Sequence, residues 1–327
     1  MINLNNNDVI KNINKEQLIE FIKNFYLTYR QSLNIKTDAS FGYELEYEEK
    51  TIQPDDNHRT YTGFATFLLC QDLEKHKMDY RFINDQTVSL GGEVASEVYK
   101  DNEESWSSLD LLCSIVRKYG YEGESCGGHF HIGMQSFKDL NSVKKFIKLW
   151  SKYENILYRF FYGQYRNNRP AIRRFAYPIR LVYKVDTYKT LEDIKNATID
   201  RYNSINFKNA YQFTWGVKNT IEIRCPNASF NPIILQNNVN LILKMIEKCN
   251  DDNFDIDESY IEKISNTYEY RDVYTYEKMD YDAAVEFADL VFDNNLDKLY
   301  FLRQYFKDFV VRDNKSVLLN PSQPFTR

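Results

Sequence analysis

The chain has 327 residues, 43% of them hydrophobic and 27% charged, with only 11 glycines and 7 prolines. That composition suits one large domain or two small ones around a sizeable core, and excludes long linker-like tracts. Forty-two basic residues against 47 acidic ones give a net charge of −5, which excludes a general polycationic surface for nucleic acid, and no apolar run reaches transmembrane length.

The opening residues, Met1-Ile-Asn-Leu-Asn-Asn-Asn-Asp, lack the basic and apolar regions of a secretory signal. Five cysteines (Cys70, Cys113, Cys126, Cys225, Cys249) are scattered with no Cys-x-x-Cys pair, as reduced thiols would be. The expectation is a cytoplasmic protein with no nucleic-acid or membrane partner.

In chain order, Leu18, Ile19, Ile22, Phe25, Tyr26 and Tyr29 predict an amphipathic helix over 15–33. A strand follows at 40–48, and residues 59–75 read as helical or mixed. Tyr80–Ile83 and Val88–Val98 read as two strands joined by the turn Asn84-Asp85-Gln86-Thr87. Trp106–Tyr119 reads as a helix ended by Gly120, then a strand at 126–134 and a long helix at 139–161. A basic stretch with Arg166, Arg169, Arg173, Arg174 and Arg180 is interrupted by Pro170 and Pro178. Beyond it come a short helix at 190–197, a strand at Tyr211–Trp215, a strand around Glu222, and a helix from Pro232 to about 249. The acidic run 251–258 marks a boundary. Residues 1–250 are expected to form a catalytic domain, and 251–327 a helical extension on it, with helices near 257–270, 281–293 and 295–311.

Four of these strands share one pattern, with apolar side chains on alternate positions and charged or metal-binding ones between. Phe41, Tyr43, Leu45 and Tyr47 alternate with Glu44, Glu46 and Glu48; Ser89–Glu97 carries Glu93; Cys126–Gly133 carries His129 and His131; Asn219–Arg224 carries Glu222 and Arg224. Strand side chains alternate between faces, so one sheet holding all four would gather these groups on one surface. Each fragment alone also fits an ordinary half-solvated strand. Two of the chain's four histidines on one strand among glycines point more sharply to a metal or phosphate site. Cys126 fits neither a zinc pattern nor a clear nucleophile motif. Many carboxylates with at most two imidazoles form a hard, oxygen-rich donor set that favours Mg2+ or Mn2+. Such ions bridging polyphosphate imply a nucleotide, yet neither glycine-rich phosphate signature occurs, so metals and arginines would have to hold ATP.

The order Phe-Gly-x-Glu-x-Glu, Glu-Val-x-Ser, Gly-Gly-His-x-His, Arg-Tyr-x-x-x-Asn and Thr-Ile-Glu-x-Arg resembles the amidoligase family, over residues 39–245. That family belongs to the carboxylate–amine ligase superfamily, with glutamine synthetase and glutamate–cysteine ligase. The resemblance implies an α+β fold, in which a curved, mostly antiparallel sheet forms a funnel with helices packed outside. It implies ATP with two or more Mg2+ or Mn2+ ions, held by Glu44 and Glu46, by Glu93, and by His129 and Glu222, with His131 a neighbour or alternative ligand. Arg224 would stabilise the transferring phosphoryl group, and Arg201, Arg173 and Arg174 would hold phosphate or the substrate carboxylate. Asn206 would be a supporting residue. Two positions depart from the family's pattern: Asp85-Gln86-Thr87 replaces Asp-Gly-Ser, and Glu97 stands where a proline is common.

The reaction implied is amide formation. ATP phosphorylates a small-molecule or peptide carboxylate, and an amine attacks the acyl phosphate. Glu97 and Glu48 are both candidates for the base that deprotonates the amine. A metal-dependent amide or phosphoester hydrolase, or a non-catalytic scaffold, would use the same surface. Oligomerisation is left open.

Overall fold

A computed structural model describes residues 9–52, 62–88, 90–123, 125–162, 172–179, 184–197, 201–256, 281–306, 311–312 and 315–316. Its main sheet takes strands β1 (Phe41–Glu49), β2 (Tyr80–Ile83), β3 (Gly91–Ser96), β4 (Gly120–Tyr121), β5 (Gly128–Gly133), β6 (Ile205–Asn206) and β7 (Thr220–Ile223). They run in the order β2-β3-β1-β5-β7-β6, with β4 also on β1, and every pairing is antiparallel. The sheet is curved and does not close. Helices complete an α+β fold: α1 (Val9–Asn12), α2 (Lys15–Lys23), α3 (Phe64–Lys75), α4 (Glu103–Tyr119), α5 (Leu140–Lys152), α6 (Glu154–Tyr162), α7 (Ile172–Phe175), α8 (Leu191–Asn196), α9 (Pro232–Cys249), α10 (Tyr281–Val291) and α11 (Asn295–Tyr305). A separate hairpin pairs β8 (Val311–Arg312) with β9 (Lys315–Ser316).

Strand alternation decides which face is covered. Phe41, Tyr43, Leu45, Tyr47, Val94, Phe130, Ile132, Ile221 and Ile223 are all buried. Phe41 stacks on Trp106 of α4 at 4.8 Å between ring centroids, and Phe130 meets Phe161 of α6 at 6.2 Å. Two tyrosines place their hydroxyls as well: Tyr47 bonds Thr66 of α3, and Tyr43 donates to the Leu235 carbonyl of α9. Each such side chain contributes roughly 1.5–3 kcal/mol by leaving water, so this face locks the sheet to its helices.

Local signals set most boundaries. Asn102 caps α4 by accepting from Ser105 N, and Gly120 closes it. Asp139 caps α5, a Thr190–Asp193 capping box opens α8, and Pro232 sits in the first turn of α9. Gly128 is needed for close approach, because a Cβ there would lie 2.2 Å from the Asn227 carbonyl oxygen.

Five expected elements differ. The helix at 15–33 stops at Lys23, where Asn24 donates its side-chain amide back to the Glu20 carbonyl. Residues 25–35 form a strap without regular structure, held by Thr28 N to Tyr300 Oη and Arg30 N to Gln236 Oε1. Tertiary partners there outbid helix propensity. The helix at 139–161 breaks at Tyr153, which brings Glu154 inward to accept from Trp150 Nε1, Ile179 N and Ser204 Oγ. Tyr211–Trp215 is a loop, not a strand, with its backbone bonded to the Asn219 side chain instead of a ladder. The strand expected over Val88–Val98 spans only Gly91–Ser96, and the helix expected to 311 ends at Tyr305. The helix expected near 257–270 lies outside the described residues, as do Arg166, Arg169 and Arg180.

The two helices beyond residue 280 pack on the rest of the chain. Phe160 stacks on Phe301 at 5.1 Å, Tyr153 meets Phe287 at 4.9 Å, and Arg30 pairs with the buried Asp297 at 2.6 Å. Among the described residues, no helix is long and apolar enough to cross a membrane.

Candidate active site

The register assembles the charged groups row by row. Gly42, His131, Glu222 and Asn206 stand side by side across β1, β5, β7 and β6. The next row holds Arg81, Ala95, Glu44 and His129, and the third holds Ile83, Glu93 and Glu46. Four of these groups are almost as enclosed as the apolar face. Glu46 is 3% exposed, Glu93 and His129 6%, and Glu222 7%. Carboxylates this buried require compensating charge or hydrogen bonds.

Several compensations are visible. His131 bridges Thr220 Oγ1 at 3.0 Å and Glu44 Oε1 at 3.1 Å. His129 Nδ1 lies 3.4 Å from Glu46, 3.6 Å from Glu44 and 3.9 Å from Glu222. Glu46 also accepts the Gly127 amide at 2.6 Å. Glu222 accepts from Asn206 Nδ2 at 2.7 Å and from Arg224, whose Nε donates to the Phe175 carbonyl at 3.1 Å. Burial pushes the Glu44 carboxyl up, but hydrogen bonds from His129 and His131 outweigh it and hold the group well below the usual carboxylate range. His131 is raised, because Glu44, Glu222 and Glu93 overcome its burial.

Glu93 lacks such relief. Its Oε1 is buried with no hydrogen-bond partner, and burial, then Glu44, Glu46, Asp85 and Glu222, push its carboxyl up to about 8. A divalent cation would satisfy that oxygen. The donors for one are in place twice: Glu44, His131 and Glu222 bring ligand atoms within 4.8 Å of one another, and so do Glu46, Glu93 and Asp85. Both sets are oxygen-rich, which fits Mg2+ or Mn2+.

The remaining sequence candidates lie at the margins. Glu97 accepts from Ser108 Oγ of α4 and stands outside the two clusters. Glu48 is held by Ser125 Oγ at 2.6 Å and Tyr121 Oη at 2.9 Å, which lower its carboxyl despite some burial. Arg174 and Arg201 are exposed, over the rings of Phe175 and Tyr202, and neither bonds a cluster residue. Arg173 lies in α7, and its side chain is outside the described residues. Cys126 is buried with its thiol pushed up to about 12, so no thiolate nucleophile exists there at neutral pH.

Two features were not legible beforehand. Asp85 reads in sequence as a turn residue, and it does cap Thr87 N at 2.7 Å, yet it also completes the second cluster. A cavity of about 410 Å3 adjoins the first cluster at the Phe41 end of β1, lined by Gly42, Glu44, Arg81, His131, Trp215 and Lys218 among others. Arg224 and α7 lie toward the other end of the strands.

The family described as "Putative amidoligase enzyme" matches residues 8–246. The match begins at residue 8, not 39, and so takes in α1, α2 and the strap. No curated protein matches the chain. A solved structure titled "Apo GmaS without ligand" is 11% identical, covers 85% of this chain and 71% of its own, and superposes with a TM-score of 0.41.

Proposed function

The chain belongs to the amidoligase family, and we propose that it is an ATP-dependent carboxylate–amine ligase that forms an amide through an acyl phosphate, acting in the cytoplasm. The single observation that carries this reading is the pair of adjacent oxygen-rich clusters on one sheet face, with a buried arginine at the end of the same strand. A ligase needs that combination, since the transferring phosphoryl group spreads charge over several oxygens.

Glu44, His131 and Glu222 would hold one Mg2+ or Mn2+ ion, and Glu46, Glu93 and Asp85 another, with His129 between them. When bound, the ions neutralise phosphate oxygens. Arg224 is fixed in place by Glu222 and the Phe175 carbonyl, and presents a cation to the γ-phosphoryl group without having to reorganise. Arg173, Arg174 and Arg201, on the segments beside Arg224, attract the outer phosphates of ATP. Carboxylate is a poor electrophile, because its leaving group would be oxide. Transfer of the γ-phosphoryl group to a carboxylate oxygen releases ADP and makes phosphate the leaving group. The amine then attacks the acyl carbon, phosphate departs, and Glu97 at the cavity lip takes the amine's proton. Residues 1–250 carry this chemistry, and 251–327 form an extension on the same body.

The test is ADP release with Mg2+ or Mn2+ across a panel of carboxylates and amines. ADP formed only when both partners are present supports the ligase. Amide or phosphoester cleavage without ATP would replace it with a hydrolase.

A further inference from the structure

The cavity beside the first cluster has a composition of its own. At about 410 Å3 it falls within the range of ligand pockets and borders Glu44 and His131 directly. Its lip carries Val98, Trp215 and Val217, which are 66, 60 and 79% exposed. Exposed apolar groups on a loose loop would mean little, but the loop that carries Trp215 and Val217 is fixed from within. Asn219, 3% exposed, accepts from the backbone N–H groups of Tyr211 and Gln212 and donates to the carbonyls of Gln212 and Thr214. Its backbone N–H closes on Gly216 O at 3.1 Å, and its carbonyl accepts from Met134 N at 2.9 Å. The chain therefore spends a buried asparagine on holding apolar side chains in water at the mouth of a pocket.

The mouth also carries charged groups. Glu44 is engaged by His131, and Glu97 by Ser108. Arg81 and Lys218 line the same cavity and form no ion pair with any described residue. Ser108 is neutral, so Glu97 keeps its charge, but Arg81 and Lys218 still offer two cations, unpaired among the described residues, to an incoming carboxylate. The floor is also kept open. Gly42 lies on the polar face, and a Cβ there would meet nothing closer than the Glu97 carbonyl oxygen at 3.4 Å. Neither a left-handed backbone nor tight packing calls for glycine at this strand position, so its effect is to leave the pocket empty.

We propose that this cavity takes the acyl substrate, and that this substrate is a carboxylic acid borne on an apolar, peptide-sized body rather than a free small amino acid. Its carboxylate passes Arg81 and Lys218 to reach the Glu44–His131 cluster, and its apolar body covers Trp215, Val217 and Val98. A free amino acid held at the cluster would leave those three side chains in water. The assignment of the bound acid as acyl donor rests on the ligase reading; its binding here does not.

The two can be tested apart by measuring binding without turnover. Trp106 and Trp150 are fully buried, so Trp215 is the one solvent-exposed indole of the three tryptophans and reports on the pocket. The full-length protein is titrated with N-acetyl dipeptides ending in Phe, Leu or Glu, as free acids and as C-terminal amides, with and without Mg2+ and a non-hydrolysable ATP analogue. Tryptophan emission and titration calorimetry are recorded. At least one apolar-ended acid is expected to shift the emission saturably and to bind at least 10-fold tighter than its amide and than free glutamate. By calorimetry, Trp215→Ala and the double variant Arg81→Gln with Lys218→Asn are each expected to weaken that acid about 10-fold. Gly42→Val, a favourable strand residue in a position with room for a Cβ, should keep the melting temperature while abolishing binding. No saturable response to any acid, equal affinity for acid and amide, or undiminished binding to Gly42→Val would overturn the proposal. Binding as expected but with no ADP release in any amine panel would leave this pocket standing and sink the ligase.

Discussion

Glu93 stands opposite Glu46 in the β1–β3 register, buried, with one carboxylate oxygen that accepts no hydrogen bond. Its carboxyl is raised from 4.5 to about 8 by burial and by the acids around it. A folded-state value above the unfolded one means the native state holds the extra proton. The associated stability is complete below pH 4.5 and is lost as pH rises through 8. The metal-free protein is therefore expected to melt about 3 °C lower at pH 8 than at pH 5, roughly 2 kcal/mol in a chain of this size. Excess Mn2+ should remove that fall, and Glu93→Gln should flatten it. Calorimetric melts across this range decide the matter, and an unchanged slope in Glu93→Gln would count against Glu93 as its source.

Asp85 serves two structures at once. Asparagine can make the same turn through its carbonyl oxygen, so Asp85→Asn keeps the bond to Thr87 N while removing a negative charge from the second cluster. Mn2+ affinity is expected to fall about 10-fold, with the melting temperature of the metal-free protein the same or slightly higher. Titration calorimetry checks both parts. An unchanged Mn2+ affinity would reduce Asp85 to a turn cap.

The site face was legible because its signal is periodic: Glu44, Glu46 and Glu48 against Tyr43, Leu45 and Tyr47 declare two faces without any knowledge of partners. Which strands become neighbours is a long-range matter, and there the ordered motifs supplied what periodicity lacked. The strap at 25–35 has an apolar spacing that fits a helix. Its conformation is decided by Tyr300 and Gln236, some 200 residues or more away. Tyr211–Trp215 reads as a strand for the same reason. The competing partner, the Asn219 side chain, is close in sequence, but nothing marks it as a loop anchor rather than a polar strand residue. Asp85 was hidden by its own turn chemistry.

Glu44 and Glu222 are both cluster carboxylates, but they should fail differently. Glu44→Gln removes a ligand that faces two imidazoles, and the amide can still bond His131. Glu222→Gln also strips the partner from a buried Arg224, a change that costs about 3 kcal/mol when a buried pair is broken. Both variants are expected to lose at least 100-fold in ADP release, with Glu44→Gln retaining the wild-type melt and Glu222→Gln melting several degrees lower. Substantial residual turnover in both would refute the assignment of this face as the catalytic one.

Arg224 and Arg201 flank the same ring, with guanidinium carbons 5.7 and 5.6 Å from the centre of Tyr202, yet one is buried and the other exposed. A buried, pre-oriented fork acts on the charge that develops in the transition state, whereas an exposed one acts mainly on binding and is screened by salt. Arg224→Lys keeps a positive charge but loses the fork that spans Glu222 and the Phe175 carbonyl. It is expected to lower kcat by about 100-fold with little change in KM for ATP. Arg201→Ala should raise KM for ATP several-fold at low ionic strength, leave kcat nearly unchanged, and lose most of its effect near 0.5 M salt. Steady-state kinetics at two ionic strengths separate the roles, and a kcat effect at Arg201 that persists in high salt would place it at the transferring phosphoryl group instead.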